Sequence, residues 1–174
     1  QLPLMSECAD FISNRLDVHS VLLLRHFYRA ISYEKSNETM LRFTDSNFVP
    51  LAHTPSFLKL SFNDLLDLLR RDTLHVDTEN QVFNATSIWL YNNPEMIHHG
   101  PELLKCIRWP LLSSSFFTEI VEKTEWVMDN AECREIVEKA KEYGITGESG
   151  GETILFSTTE RKCEDVPRLI ATFG

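Results

Sequence analysis

Glycine is scarce in this chain, six in 174 residues, and four of the six fall in the short run Gly144–Gly151. That run lacks the Lys-Ser/Thr that completes a phosphate-binding loop, so nucleotide chemistry of that kind is excluded. Cysteine is equally sparse. Cys8, Cys106, Cys133 and Cys163 are far apart, and none forms a CxxC pair or stands near a histidine at ligand spacing, which removes a zinc site and reads as reduced thiol usage. Basic residues are outnumbered, 17 against 26 acidic, for a net charge of −9. Without a basic face there is nothing to neutralise phosphates, which argues against nucleic acid and anionic membrane as partners. Apolar runs such as Val21–Leu24 are far short of the ~20 residues that span a bilayer. Alternating strand patterns are almost absent before residue 150.

What is present is helix after helix. The run FLKLSFNDLLDLLRRDTLHVDTENQVFNATSIWLYNNPEMIHHGPELLKCIRWPLL, residues 57–112, carries two capping boxes, Ser61-Phe62-Asn63-Asp64 and Thr78-Glu79-Asn80-Gln81. Behind them Leu65, Leu66, Leu68 and Leu69, then Val82, Phe83, Trp89 and Leu90, recur with helical period. Upstream, Leu4–Asn14 and Val21–Ser32 form an expected hairpin, the second helix opened by Asp17-Val18-His19-Ser20 and carrying Val21, Leu24, Phe27, Tyr28 and Ile31. A further helix runs from Asn37 to about Phe48, and Thr54-Pro55 starts a short one through Leu60. Asn92-Asn93-Pro94 stops a helix, Gly100-Pro101 starts another to about Arg108, and Trp109-Pro110 ends it. Ser113–Ser115 cap a helix through Lys123, and Asn130 caps a last one with Gly144 as its expected left-handed terminus. The fold class is therefore all-α, stacked antiparallel helical hairpins, with short extended candidates after Gly144 at Ile154-Leu155-Phe156 and residues 166–174. A lone strand needs partners, so the chain is expected to belong to something larger.

No catalytic constellation emerges. His98-His99 beside Glu95 and Glu102 point apart and no HExxH spacing follows, so no metal site is expected. Ser113, Ser114 and Ser115 sit where a helix cap belongs, with no glycine elbow. The sequons at Asn37 and Asn84 read as chance occurrences, Asn84 lying inside a helical pattern. No cofactor is implied.

The ordered pattern Phe57, Leu58, Leu60, then Asp72, Leu74, Val76, Glu79, then Val82, Phe83, Ala85, Trp89, closing with Leu103, Leu104, Ile107, Arg108, Pro110, Leu111 and Leu112, resembles the BACK domain that follows the BTB domain in BTB and Kelch proteins. The likeness runs from about Cys8 to Tyr143. Two departures stand out: Asn93-Pro94-Glu95-Met96-Ile97 replaces an arginine-bearing helix start and is about one residue shorter, and Trp109 replaces an aliphatic residue. Residues 166–174, VPRLIATFG, are similar to the opening strand of a Kelch blade.

The resemblance implies a helical BACK-like domain over 1–145, with the 3-box hairpin at about 3–33, a linker over 146–165, and the start of a Kelch propeller at 166–174. It implies a non-catalytic, cytoplasmic adaptor in the ubiquitin conjugation pathway. The BTB domain and 3-box would bind the cullin-3 N-terminal region, the propeller would hold a substrate protein, and homodimers would form only through the BTB domain. A groove for an extended partner needs apolar side chains left partly uncovered, and Phe11, Leu16, Leu24 and Phe27 are the candidates, although each also fits a plain core position. Phe57, Leu74, Val82, Phe83, Trp89, Leu104, Arg108 and Pro110 are the expected structural core. Arg108 has two readings, a partner contact or an arginine packed between helices in an ion pair. The alternative function is a cytoskeletal or structural scaffold of the same family that does not bind cullin, with Glu132, Glu135, Glu138 and Glu142 as a contact surface.

Overall fold

The computed structural model describes residues 14–30, 34–146 and 157–162, together with the helical residues Glu7 and Phe11. Most of the expected helix Leu4–Asn14, the position Ile31, the extended candidates at 154–156 and 166–174, and most of the expected linker lie outside them. The chain is all-α, with no strand among the described residues. It divides into two units, one of residues 1–59, 72–75 and 161–174, the other of 60–71 and 76–160.

The first unit contains helices α1 (Val21–Ala30), α2 (Glu34–Ser46), α3 (Phe48–Leu51) and α4 (Pro55–Leu58). Asp17 opens α1, its Oδ1 accepting from the N–H groups of His19 (2.8 Å) and Ser20 (3.0 Å). Partial burial by itself would raise the Asp17 pKa, but those donors outweigh it and hold the carboxyl below its ordinary value. α1 packs on α2 and α4. Val21, Leu22, Tyr28, Met40, Phe48, Leu51, Phe57 and Leu74 are buried, with Phe48 and Phe57 meeting edge to face at 6.2 Å. Thr54 caps α4 as its sequence announces: Oγ1 accepts from the Phe57 N–H and donates to Leu51 O at 2.8 Å, with Pro55 at the first helical position. Asp45, itself buried, ties down the returning segment, accepting from Thr73 Oγ1 through Oδ2 (2.5 Å) and from the His75 N–H through its backbone oxygen (2.9 Å).

The second unit is built around α6 (Glu79–Asn92), preceded by α5 (Phe62–Leu69) and followed by α7 (Gly100–Leu104), α8 (Ser114–Glu119), α9 (Glu125–Met128) and α10 (Ala131–Thr146), with 3-10 turns at Pro94–His99, Trp109–Leu111 and Val121–Lys123. Ser61 caps α5 through Oγ, which accepts from the Asp64 N–H (3.2 Å) and donates to Asp64 Oδ2 (2.7 Å). The second capping box forms differently. Thr78 makes no side-chain cap bond, and Gln81 Oε1 accepts from the Asp77 N–H at 2.8 Å, one residue before the N-cap, so the expected box is replaced by a bond just outside the helix. The helix starting at Gly100 ends at Leu104, short of Arg108, and the helix capped by Ser113 breaks at Ile120 into a separate 3-10 turn. Asn130 Oδ1 caps α10 by accepting from the N–H groups of Glu132 and Cys133. Gly144 does not end that helix. It lies inside α10 without a left-handed φ, and the helix runs on to Thr146.

Aromatic side chains fill this unit's core. Phe83 stacks on Trp126 (5.9 Å), meets Phe116 (5.7 Å) and Trp109 (6.5 Å) edge to face, and Trp109 meets Phe117 at 5.9 Å. The polar edges are satisfied: Trp126 Nε1 donates to Ser87 Oγ, Trp109 Nε1 to Leu104 O, and Trp89 Nε1 to Leu60 O. Trp109, the departure from the family's aliphatic residue, is thus a buried member of this cluster. Gly100 is buried where α7 begins, and a Cβ there would lie 3.2 Å from both Cys133 Sγ and the Trp126 ring. Gly100→Ala is therefore expected to lose, to a contact that must give by a few tenths of an ångström, the roughly 0.4–1 kcal/mol that alanine otherwise gains in a helical backbone conformation. A denaturant titration checks this, and pairing it with Cys133→Ala should restore part of the loss because the two sites share one contact.

Candidate functional site

The side chains proposed for partner binding lie in the first unit and differ sharply in exposure. Phe11 is 57% exposed, on a helical residue upstream of α1, with the Arg15 guanidinium 4.2 Å over its ring. Phe27 is also 57% exposed. Leu16, in the connection to α1, and Leu24 are half-buried. One residue escaped the sequence reading: Leu23, at 68% the most open of the large apolar residues described. It stands one turn before Phe27, so the two share an outward stripe, with half-buried Leu24 at its edge. The inward stripe is Val21, Leu22 and Tyr28. The i, i+4 relation of Leu23 to Phe27 was visible in the sequence, but in a run of four apolar residues it gives no sign of which stripe faces in.

The expected core residues sit deep. Phe57, Leu74, Val82, Phe83, Trp89 and Leu104 are buried, as is Arg108, whereas Pro110 is half-buried in its 3-10 turn. The Arg108 N–H donates to Glu79 Oε1 at 3.1 Å, and its Nη1 donates to Thr159 O at 2.5 Å. Glu79 is itself buried, in the first turn of α6.

Among the described residues, reactive groups do not converge. The His99 ring stacks on Phe62 at 4.0 Å and its Nδ1 lies 3.2 Å from Glu102 Oε1, so this histidine is engaged in packing and a surface pair. No group of three His, Cys, Asp or Glu among the described residues could hold a metal ion. Ser113 Oγ is a cap, accepting from the Phe116 N–H. Burial, with Glu132 adding to it, pushes the Cys133 thiol up to about 12, which keeps it protonated and unreactive. On α10, Glu135 pairs with Lys139 at 2.9 Å, and that lysine holds its carboxyl below the ordinary value. Glu132 pairs with Lys105 at 3.3 Å. These are exposed pairs of the ordinary solvated kind. No described helix is long and apolar enough to cross a membrane.

Comparison with known proteins agrees with this architecture. Residues 21–122 match the family model described as BACK, BTB And C-terminal Kelch. The chain is similar to human Kelch-like protein 17, with 30% identity over 169 residues, which is 96% of this chain and 26% of that protein. The chain therefore spans about a quarter of the length of this curated relative. The match takes in α1 through α8 and ends inside the 3-10 turn at Val121–Lys123, before α9 and α10; it covers more than half of the chain, and on that extent the chain belongs to the BACK family.

Proposed function

We propose that this chain is a non-catalytic adaptor segment that links a cullin-3-binding BTB domain to a substrate-binding Kelch propeller in a cytoplasmic ubiquitin ligase. The observation that carries the reading is the outward apolar pair Leu23 and Phe27, flanked by half-buried Leu24, with Phe11 also open to solvent, in the first unit of a BACK-family chain. Large apolar side chains left this uncovered suit a partner's extended segment, which can seat its own apolar residues between them. The contribution of the segment is then geometric. A packed helical body separating substrate from transfer machinery turns a dilute encounter into one at effective concentrations on the order of millimolar.

Calorimetric titration of the BTB-containing protein with the cullin N-terminal region tests this. Phe11→Asp and Phe27→Asp are expected to weaken binding at least about tenfold, since each would place a carboxylate in an apolar contact. Their melting temperatures should stay near that of the parent, because both side chains are more than half exposed. Absence of heat and of co-elution with the parent protein would instead support the non-cullin scaffold.

A further inference from the structure

We propose that Arg108 is the positioning residue that seats residues 157–160, its guanidinium reaching from the core of the second unit to the backbone oxygen of Thr159. The two residues are 51 apart in sequence and 2.5 Å apart at Nη1 and O. Ser157, Thr158, Thr159 and Glu160 are exposed and belong to no helix or strand. A polar stretch of this kind buries no apolar surface against the roughly 1–2 kcal/mol per residue that ordering a backbone costs. Its one described local side-chain bond, the Thr159 N–H to Ser157 Oγ, is long at 3.4 Å. The charged donor is a stronger tie. Arg108 is only 3% exposed, so its guanidinium must find acceptors inside the protein, and a carbonyl brought to it in good geometry meets that need. The arginine is itself aimed by α6, because Glu79 Oε1 accepts from its backbone N–H and fixes where the side chain starts. A planar, permanently charged fork suits a site that must hold a backbone oxygen, and a lysine does not reproduce it.

A glutamyl endopeptidase acting on the full 174-residue chain tests it, cleavage after Glu160 being followed by mass spectrometry. The native chain is expected to be cut there at least about tenfold more slowly than a free peptide of residues 153–166, because cleavage follows the population of the released segment. Arg108→Met keeps an apolar stem and removes the donors, and is expected to raise cleavage several-fold toward the peptide rate, the Lys162 N–H to Asp72 O bond (2.7 Å) remaining, while the helical circular dichroism signal persists. Arg108→Lys retains the charge for the case in which the methionine variant does not fold, and is expected to raise the rate severalfold. A purely structural arginine would change the melting temperature without a selective effect at Glu160. Native cleavage as fast as the peptide, or a folded Arg108 variant with the native rate, overturns the proposal.

Discussion

Trp89→Ala is expected to destabilise the protein by about 3–5 kcal/mol, a large part of the roughly 5–15 kcal/mol that typically separates folded from unfolded domains. Trp89 is 1% exposed on α6, so truncation removes a large buried surface and leaves a cavity that fixed helices close only partly. It also deletes the Nε1 donor to Leu60 O, 3.1 Å away in the connection before α5. For a chain of this size each kcal/mol moves the melting temperature by about 2–4 °C, so a thermal melt by circular dichroism should show a fall of roughly 10 °C. Trp89→Phe separates the two causes. It retains most of the volume and removes the donor, and is expected to cost about 1–3 kcal/mol through the unsatisfied carbonyl and the smaller ring. An unchanged melt for the alanine variant would remove Trp89 from the core.

Phe83→Ala is expected to cost a similar amount, about 3–5 kcal/mol, for a different reason. Phe83 has no polar handle, but its ring lies among Trp109, Phe116 and Trp126, so its loss leaves three aromatic partners without a shared neighbour. Aromatic pairs contribute about 0.5–1.5 kcal/mol beyond the area they bury. Phe83→Leu should therefore recover the apolar volume and still fall short of the parent, with near-ultraviolet circular dichroism from the tryptophans reduced. Phe83 and Trp89 are six residues apart on one helix, about 240° around the axis at roughly 100° per residue. Adding the two losses on a denaturant titration tests whether α6 couples them. Near-additivity is expected, since they point to different sides of the helix.

That placement also explains what could be read from the chain and what could not. Helix starts were legible because caps are local: Ser61, Thr54, Ser113 and Asn130 each bond to amides within three residues, so their chemistry is written next to the helix they begin. Thr78 shows the limit. The Thr-x-x-Gln pattern was there, yet Gln81 chose the Asp77 N–H and Thr78 made no cap bond, a choice between two nearby partners that spacing does not decide. Gly144 shows another. A glycine near a helix end favours a stop, but nothing requires one, and α10 continues through it.

For the surface, the sequence identified α1 as amphipathic and nominated Leu24 and Phe27, while Leu23 was missed. Val21 to Leu24 are all apolar, and only the positions of α2 and α4 select Val21, Leu22 and Tyr28 as the buried set. Arg108 illustrates the same point at longer range. Two readings stood for it, a partner contact or an ion pair between helices, and neither pointed to the Thr159 carbonyl that its guanidinium meets, 51 residues on in a stretch whose composition reads only as connector.

The amino-acid order by itself determined that this protein is a chain of capped helices with a leucine- and aromatic-rich interior, because caps, helical period and terminators act within one or two turns. Which stripe of α1 faces solvent, which sides of α6 are covered and what Arg108 holds were decided only by tertiary structure. Those choices depend on side chains brought together from distant positions, and their energies exist only once the helices have packed.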